Sequence, residues 1–254
     1  MNSLYVDQYS SMALQDALTN KLSVLILPLG SVEPHGPHLP LATDRLLSEE
    51  NAVRAAKALR EQDIPTWIGS PLAYGVTEYA QGFCGAISLS HDLYEELLIQ
   101  ITKQYTLAGF SLVCWINHHL EPLQLAAIHG AQQKLKAEGI SVIAPAVVSK
   151  RWGKELGEEF RSGACHAGAY EGSMILCSHK ELVQQEIADE LPKLKISLSE
   201  AIRSGKSGFL DAGMNEAYTG APAQATAIEG ERLYQAHSTM VVTEVKEALS
   251  QLKG

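Results

Sequence analysis

Leu27-Pro28-Leu29-Gly30-Ser31-Val32-Glu33-Pro34-His35-Gly36-Pro37-His38-Leu39-Pro40-Leu41-Ala42-Thr43-Asp44 is the stretch on which the fold turns. The apolar run Val24 to Leu29 that leads into it reads as a buried strand ended by Gly30, and Asp44 stands where a long amphipathic helix begins. Between them lie Ser31, Glu33, His35, His38 and Thr43, all able to do chemistry. Glu33 and His35 are two apart, so on extended backbone their side chains leave the same face. Prolines at 34, 37 and 40 stiffen the loop and remove backbone donors. A carboxylate, an imidazole and a second carboxylate just beyond a strand end outline a metal site. A purely structural explanation also exists: Asp44 as a helix N-cap and the histidines as ordinary loop residues.

Outward from this stretch, strand and helix signals alternate. A short helix is expected over 9–19, capped by Ser10 or Ser11, then a strand over 22–29. A helical stripe from Asp44 to Gln62 carries apolar residues at 46, 47, 53, 56 and 59. A strand follows over 66–69, then a long Gly-rich loop over 71–85, of the kind that often has a function. Further expectations are a strand at 86–89, a helix at 91–108 capped by Ser90 and a strand at 112–116. Then come a helix at 122–137, a strand at 142–148, a helix near 168–178 and a C-terminal helix from about 229 to 252. The stretch 191–227 reads as polar and Gly-rich without a clear period. Strands alternating with helices predict an α/β fold with a mainly parallel, helix-covered sheet. In such sheets ligands gather at the carboxyl ends of strands, where 31–44, 71–85 and 117–121 all fall.

Composition narrows the function classes. At 254 residues with 46% hydrophobic content, one large domain is expected rather than two small ones. A net charge of −9 without a basic stripe argues against a nucleic-acid polymer as partner. The 19% charged fraction hints at a buried subunit interface. Cys84, Cys114, Cys165 and Cys177 form no C-x-x-C pair and read as reduced thiols. The N-terminus lacks a basic segment followed by an apolar core, and no apolar run nears the ~18 residues that span a bilayer. A soluble, cytoplasmic protein is expected.

Two later clusters repeat the chemistry. Asn117-His118-His119-Leu120-Glu121 ends a dense apolar strand, and His119 and Glu121 share the two-residue spacing of Glu33 and His35. His118 competes with His119 as a ligand, though its side chain points the other way on extended backbone. Glu33, His35, Asp44, His119 and Glu121 suffice for two ions sharing one carboxylate, and a carboxylate-rich set leaves room for water. His166-Ala-Gly-Ala-Tyr-Glu171 places an imidazole and a carboxylate near a helix start, suited to acid–base work. A thiol-protease reading of Cys165 beside His166 is weak, because sequence neighbours seldom face each other.

These three clusters resemble the signatures of the creatininase (creatinine amidohydrolase) family over most of the chain. The Tyr74-Gly75 loop with Gly82-Phe83, and Gly220-Ala-Pro222 with Ala227-Ile-Glu-Gly230-Glu-Arg232, also match. The resemblance implies a single three-layer α/β/α domain over 1–254, homo-oligomers (often hexamers), and a binuclear site for Zn or Mn, with Fe also possible. It implies that Glu33 and His119 hold one ion and His35 and Glu121 the other, with Asp44 bridging. It places Thr77 where the family often has a substrate-contacting serine, with Leu120 beside it as a second candidate contact. His166 falls on the histidine that assists proton transfer, and Glu171 on a carboxylate near the site that completes the candidate catalytic pair.

The implied activity is hydrolysis of a non-peptide C–N bond in a small amide, cyclic amide or formamide, by water activated between two cations. Ser162-Gly163 stands where true creatininases have a Trp-Asp pair, and Phe83-Cys84-Gly85-Ala86 replaces their Phe-Pro-Gly-Thr, which argues against creatinine itself. Peptidases that trim peptide-derived cofactors belong to the same family and are the alternative. A non-catalytic metal- or ligand-binding protein is the rival from another class.

Overall fold

A computed structural model describes residues 3–19 and 21–252, so Met1 and Asn2 of the segment read for a leader lie outside it. The chain opens with α1 (Ser11–Leu18), whose N-cap is Ser10: its side chain accepts from the Ala13 N–H. Four parallel strands follow with their crossover helices: β1 (Val24–Leu29), α2 (Thr43–Arg60), β2 (Thr66–Ile68), α3 (His91–Leu107), β3 (Leu112–Asn117), α4 (Pro122–Ala137) and β4 (Val142–Ile143). Their order across the sheet is β2-β1-β3-β4, with Leu25 opposite both Trp67 and Val113, and Val113 opposite Val142. The second half is mostly short helices, α5 (Gly157–Ser162), α6 (Ala169–Ser178), α7 (Gln185–Glu190) and α8 (Leu198–Arg203), before the long α9 (Ala227–Leu252).

Every residue of β1 is buried, as a strand covered on both faces must be. Its side chains alternate between two cores. Val24 and Ile26 pack with Leu47, Ala52, Ala56 and Leu59 of α2, Met174 of α6 and Leu233, Val241 and Val245 of α9. Leu25, Leu27 and Leu29 face the other way, onto Leu98 of α3, Ala127, Ala131 and Leu135 of α4, and the rings of Trp67 and Trp115. The sheet is therefore the middle of three layers, and the α/β/α architecture holds. Glycine sets the close approaches. A Cβ at Gly30 would stand 2.6 Å from the Arg45 backbone nitrogen, and one at Gly230 would collide with the Ser173 carbonyl where α9 crosses α6.

Four expectations change. Residues 86–89 add no strand to the sheet and make only isolated bridges, Val32 with Ile87 and Gly75 with Ser88, because Gly85 turns the chain at a φ of +89°. The strand expected to reach 148 stops at Ile143, and Pro145 has no N–H to extend the ladder. The irregular stretch 191–227 contains α8, capped by Ser197, and α5 precedes it; both are too short for a visible period. Asp44 is not a cap: Ala42 holds that position with no side-chain bond, and Asp44 lies in the first turn. Among the described residues no helix is long and apolar enough to cross a membrane.

Candidate metal centre

The loop after β1 folds back on itself, with Glu33 N–H bonded to the Leu41 carbonyl and His35 bridged to Leu39. This puts Glu33 and His35 on its inner side, against Asp44 at the start of α2. His119 arrives from the end of β3. His166 and Glu171 come from the far side, where Ala167 takes a left-handed φ of 51° to turn the chain into α6. Its N–H donates to Glu171 Oε2 at 2.7 Å. Glu33, His35, Asp44, His119, Glu121, His166 and Glu171 are all buried.

Nitrogen and oxygen atoms converge at the centre of this group. His119 Nδ1 lies 3.2 Å from Glu33 Oε1 and 3.0 Å from Asp44 Oδ2. His35 Nε2 lies 3.4 Å from Asp44 Oδ1 and 3.6 Å from Glu171 Oε2. Yet His35 Nε2 and Asp44 Oδ2 are buried with no hydrogen-bond partner. Two donors each ~2.1 Å from one tetrahedral ion stand ~3.4 Å apart, so these separations suit donors that share an ion. The other ring nitrogens are fixed from behind: His35 Nδ1 on the Glu33 carbonyl at 3.1 Å and His119 Nε2 on the Val76 carbonyl at 2.7 Å. Those bonds put the proton on the rear nitrogen and leave the inward one a lone pair, as a ligating imidazole requires. The residues fit divalent cations.

The electrostatics agree. Burial pulls His35 down, but Asp44, Glu171 and Glu33 outweigh it and raise the imidazole to about 10. His119 rises well above its ordinary range against the same burial, through Glu33 and Asp44. Burial raises Asp44, yet His35 and His119 hold it well below the carboxylate range, and His119 likewise holds Glu33 down. Burial pushes Glu171 up to about 8 and Glu121 to about 7. The carboxylates draw positive charge into a desolvated pocket, which bound cations answer while leaving the imidazoles neutral.

Three sets of ligand atoms lie within 4.8 Å of one another: Glu33, Asp44 and His119; His35, Asp44 and Glu171; and Glu33, His35 and His166. Asp44 is common to the first two. The carboxylate lying near His35 and Asp44 in this geometry is Glu171; the resemblance implied Glu121 there. Glu121 precedes α4 and reaches back to the 71–85 loop, accepting the N–H groups of Glu78 at 2.9 Å and Tyr79 at 3.2 Å. Its nearest approach to the cluster is 3.9 Å, to His119 Nε2. His118 faces away: its Nε2 is 3.4 Å from Asn51 Nδ2 and its ring packs on His237 with centroids 4.6 Å apart. Thr77 is fully buried and donates to Glu33 Oε2.

A cavity of about 490 Å³ opens over this floor. Leu120, His166 and Glu121 line it, along with Tyr79, Phe160, Phe209 and the cations Lys150, Lys154 and Arg161, while Thr77 does not. The His166 ring is held between His35 and Phe209, each 4.4 Å away by centroid, and its Nε2 meets the Pro34 carbonyl at 3.1 Å. Burial first, then His35, lowers it to about 4. Reading the sequence misses Gln124 altogether. Its Oε1 accepts the Val76 N–H at 2.8 Å and its Nε2 donates to the Tyr94 hydroxyl and to Asn117 Oδ1, which fixes the residue whose carbonyl holds His119. A glutamine in the first turn of a helix carries no signal for that role.

Fold and site together define a hydrolase-type α/β protein with a carboxylate–imidazole metal centre. The family model for creatininase (creatinine amidohydrolase) matches residues 7–245, and the chain belongs to that family, which is hydrolytic. It is similar to the mycofactocin precursor peptide peptidase of Mycobacterium ulcerans (strain Agy99), at 32% identity over 83% of this chain and 79% of the relative. Among solved structures it resembles creatinine amidohydrolase (creatininase), with a TM-score of 0.77 at 18% identity, covering 97% of this chain and 98% of the other. A manganese creatininase structure gives 0.74 at 18%, over 96% and 98%.

Proposed function

We propose that this protein is a divalent-metal-dependent hydrolase that cuts an amide C–N bond in a compact substrate, foremost the end of a short peptide. The observation that carries it is the buried convergence of Glu33, Asp44 and His119 with His35 and Glu171 at the floor of an open cavity. Glu33, Asp44 and His119 would hold one ion, and His35, Asp44 and Glu171 a second. Bound Zn or Mn supplies Lewis acidity for the carbonyl and a nucleophilic oxygen at neutral pH.

The chain's own residues do the rest. Thr77 and Val76 hold Glu33 and His119 in place. Phe209 and His35 fix the His166 ring so that Nδ1 faces the floor, 3.9 Å from Glu33 Oε1. With Nε2–H held on the Pro34 carbonyl, Nδ1 would first accept a proton from the attacking water and then pass it to the leaving nitrogen, a general base and acid role worth ~10²–10⁴-fold. Glu121, at the edge of the floor 3.9 Å from His119, would take up a proton or orient the substrate. Leu120, Phe160 and Phe209 supply apolar wall.

The peptide reading is supported by the likeness to a peptidase acting on a precursor peptide. A cyclic amide or formamide of a small molecule is the second reading, favoured by a cavity within the range of small-ligand sites. The test is amine release by metal-loaded protein from short peptides, formamides and cyclic amides, with Asp44→Ala as control. Metal-dependent release from either class supports the hydrolase; none from any class overturns it, and the class cleaved decides between the readings. A homo-oligomer belongs to the proposal, on the exposed Leu41, Tyr74, Ile87 and Leu93. Light scattering that gives a monomer mass removes it.

A further inference from the structure

The cavity is electrically two-sided. Every carboxylate in its lining belongs to the floor: Glu33, Asp44, Glu121 and Glu171. Among the described residues its lining lysines and arginine, Lys150, Lys154 and Arg161, come from the segments above. For a chain with 20 Lys and Arg and a net charge of −9, three cations on one rim is a local reversal. Two divalent ions would neutralise the four floor carboxylates, so the field inside the cavity would then be set by the rim.

The rim cations are available. Among the described residues Lys150 has no carboxylate partner, and Arg161 spends one N–H on the Lys154 carbonyl at 3.1 Å, which ties the two segments together. Lys154 makes only an exposed contact with Glu155 at 3.7 Å. Two hydroxyls in the same lining, Ser149 and Tyr79, are buried and have no hydrogen-bond partner. A buried hydroxyl without a partner is costly unless a ligand completes it.

Resting on the amide-hydrolase reading, we propose that Lys150, Lys154 and Arg161, with Ser149 and Tyr79, form an anion subsite that binds a carboxylate of the substrate and turns the uncharged amide toward the metal floor. Its acid-lined floor and cationic rim leave one orientation: the anion outward, the scissile bond inward. Two sources carry that carboxylate, the C-terminus of a peptide or a small amino acid bearing a formyl group.

Matched pairs test it on metal-loaded protein: N-acetyl-Ala-Leu-Phe against its C-terminal carboxamide, and N-formyl-leucine against N-formyl-leucinamide. Hydrogen bonds to a charged group are worth ~10–100-fold, so the acid of at least one pair is expected to be favoured by that factor in kcat/KM. A preference in the peptide pair assigns the carboxylate to a chain end, and one in the formyl pair to a small acid. The combined Lys150→Gln, Lys154→Gln, Arg161→Gln variant should bring the ratio toward one, chiefly through KM, and arginine at 150 should restore part of it. Calorimetry of the same pairs scores the subsite without turnover. Equal affinity for acid and amide in both pairs, or a ratio unchanged in the combined variant, overturns the subsite. Acid-selective binding without any hydrolysis sinks the hydrolase reading and leaves the subsite standing.

Discussion

The floor of the cavity and its rim are built by different means. Floor residues leave strand ends or the first turns of helices, and several are held by a further bond: Thr77 on Glu33, the Val76 carbonyl on His119, the Ala167 N–H on Glu171. The rim cations sit on the turns after β4 and on the short helix α5, with exposed heads. The contrast teaches that the strand ends and helix starts hold the floor donors on rigid elements, while the turns and short helices of the second half form the part of the cavity with most room to vary.

Substitutions on the two sides should separate accordingly. Asp44→Ala removes the oxygen pair common to both ligand sets, and should abolish turnover and lower metal content by elemental analysis; full activity would break the shared-carboxylate assignment. His166→Ala should keep its metal and lose ~10²–10⁴-fold in kcat. Metal loss in that variant would move His166 into the ligand shell with Glu33 and His35. Gln124→Leu touches neither cavity nor ligands, yet by loosening the Val76 carbonyl it should weaken metal binding by ~10–100-fold in competition with a chelator. Glu171→Gln should cost more bound metal than Glu121→Gln; the reverse result would restore Glu121 as the partner of His35. Thr77→Val leaves Glu33 one bond short, for a loss near ~1 kcal/mol, or ~5-fold in metal affinity. Rim substitutions should leave metal content alone, and any that change it would merge the two regions.

The difference also explains what could be read in the amino-acid sequence. The parallel sheet was legible because β1 and β3 are unbroken apolar runs, and the helices that cover them are long enough to show a period. Glu33 and His35 could be expected on one side of their loop because two-residue spacing on extended backbone is a local geometric fact. Glu171 against Glu121 was not: which carboxylate meets His35 depends on how α6 packs against α2, a contact between segments more than a hundred residues apart. Gln124 and the rim cations were invisible for the same reason, since nothing local marks a side chain that matters only through what lies across from it. The short α5 and α8 offer less than two turns of pattern.

One further property follows from the segment Val76-Thr77-Glu78-Tyr79. Its carbonyl steadies His119, its hydroxyl steadies Glu33, and its last two N–H groups hold Glu121, so four consecutive residues clamp three separate chemical groups. Such a jig tolerates no change of length: adding or deleting one residue there would misalign all three groups together. Diversification of this scaffold toward new substrates therefore has to bypass that segment and proceed through the helices and turns above it.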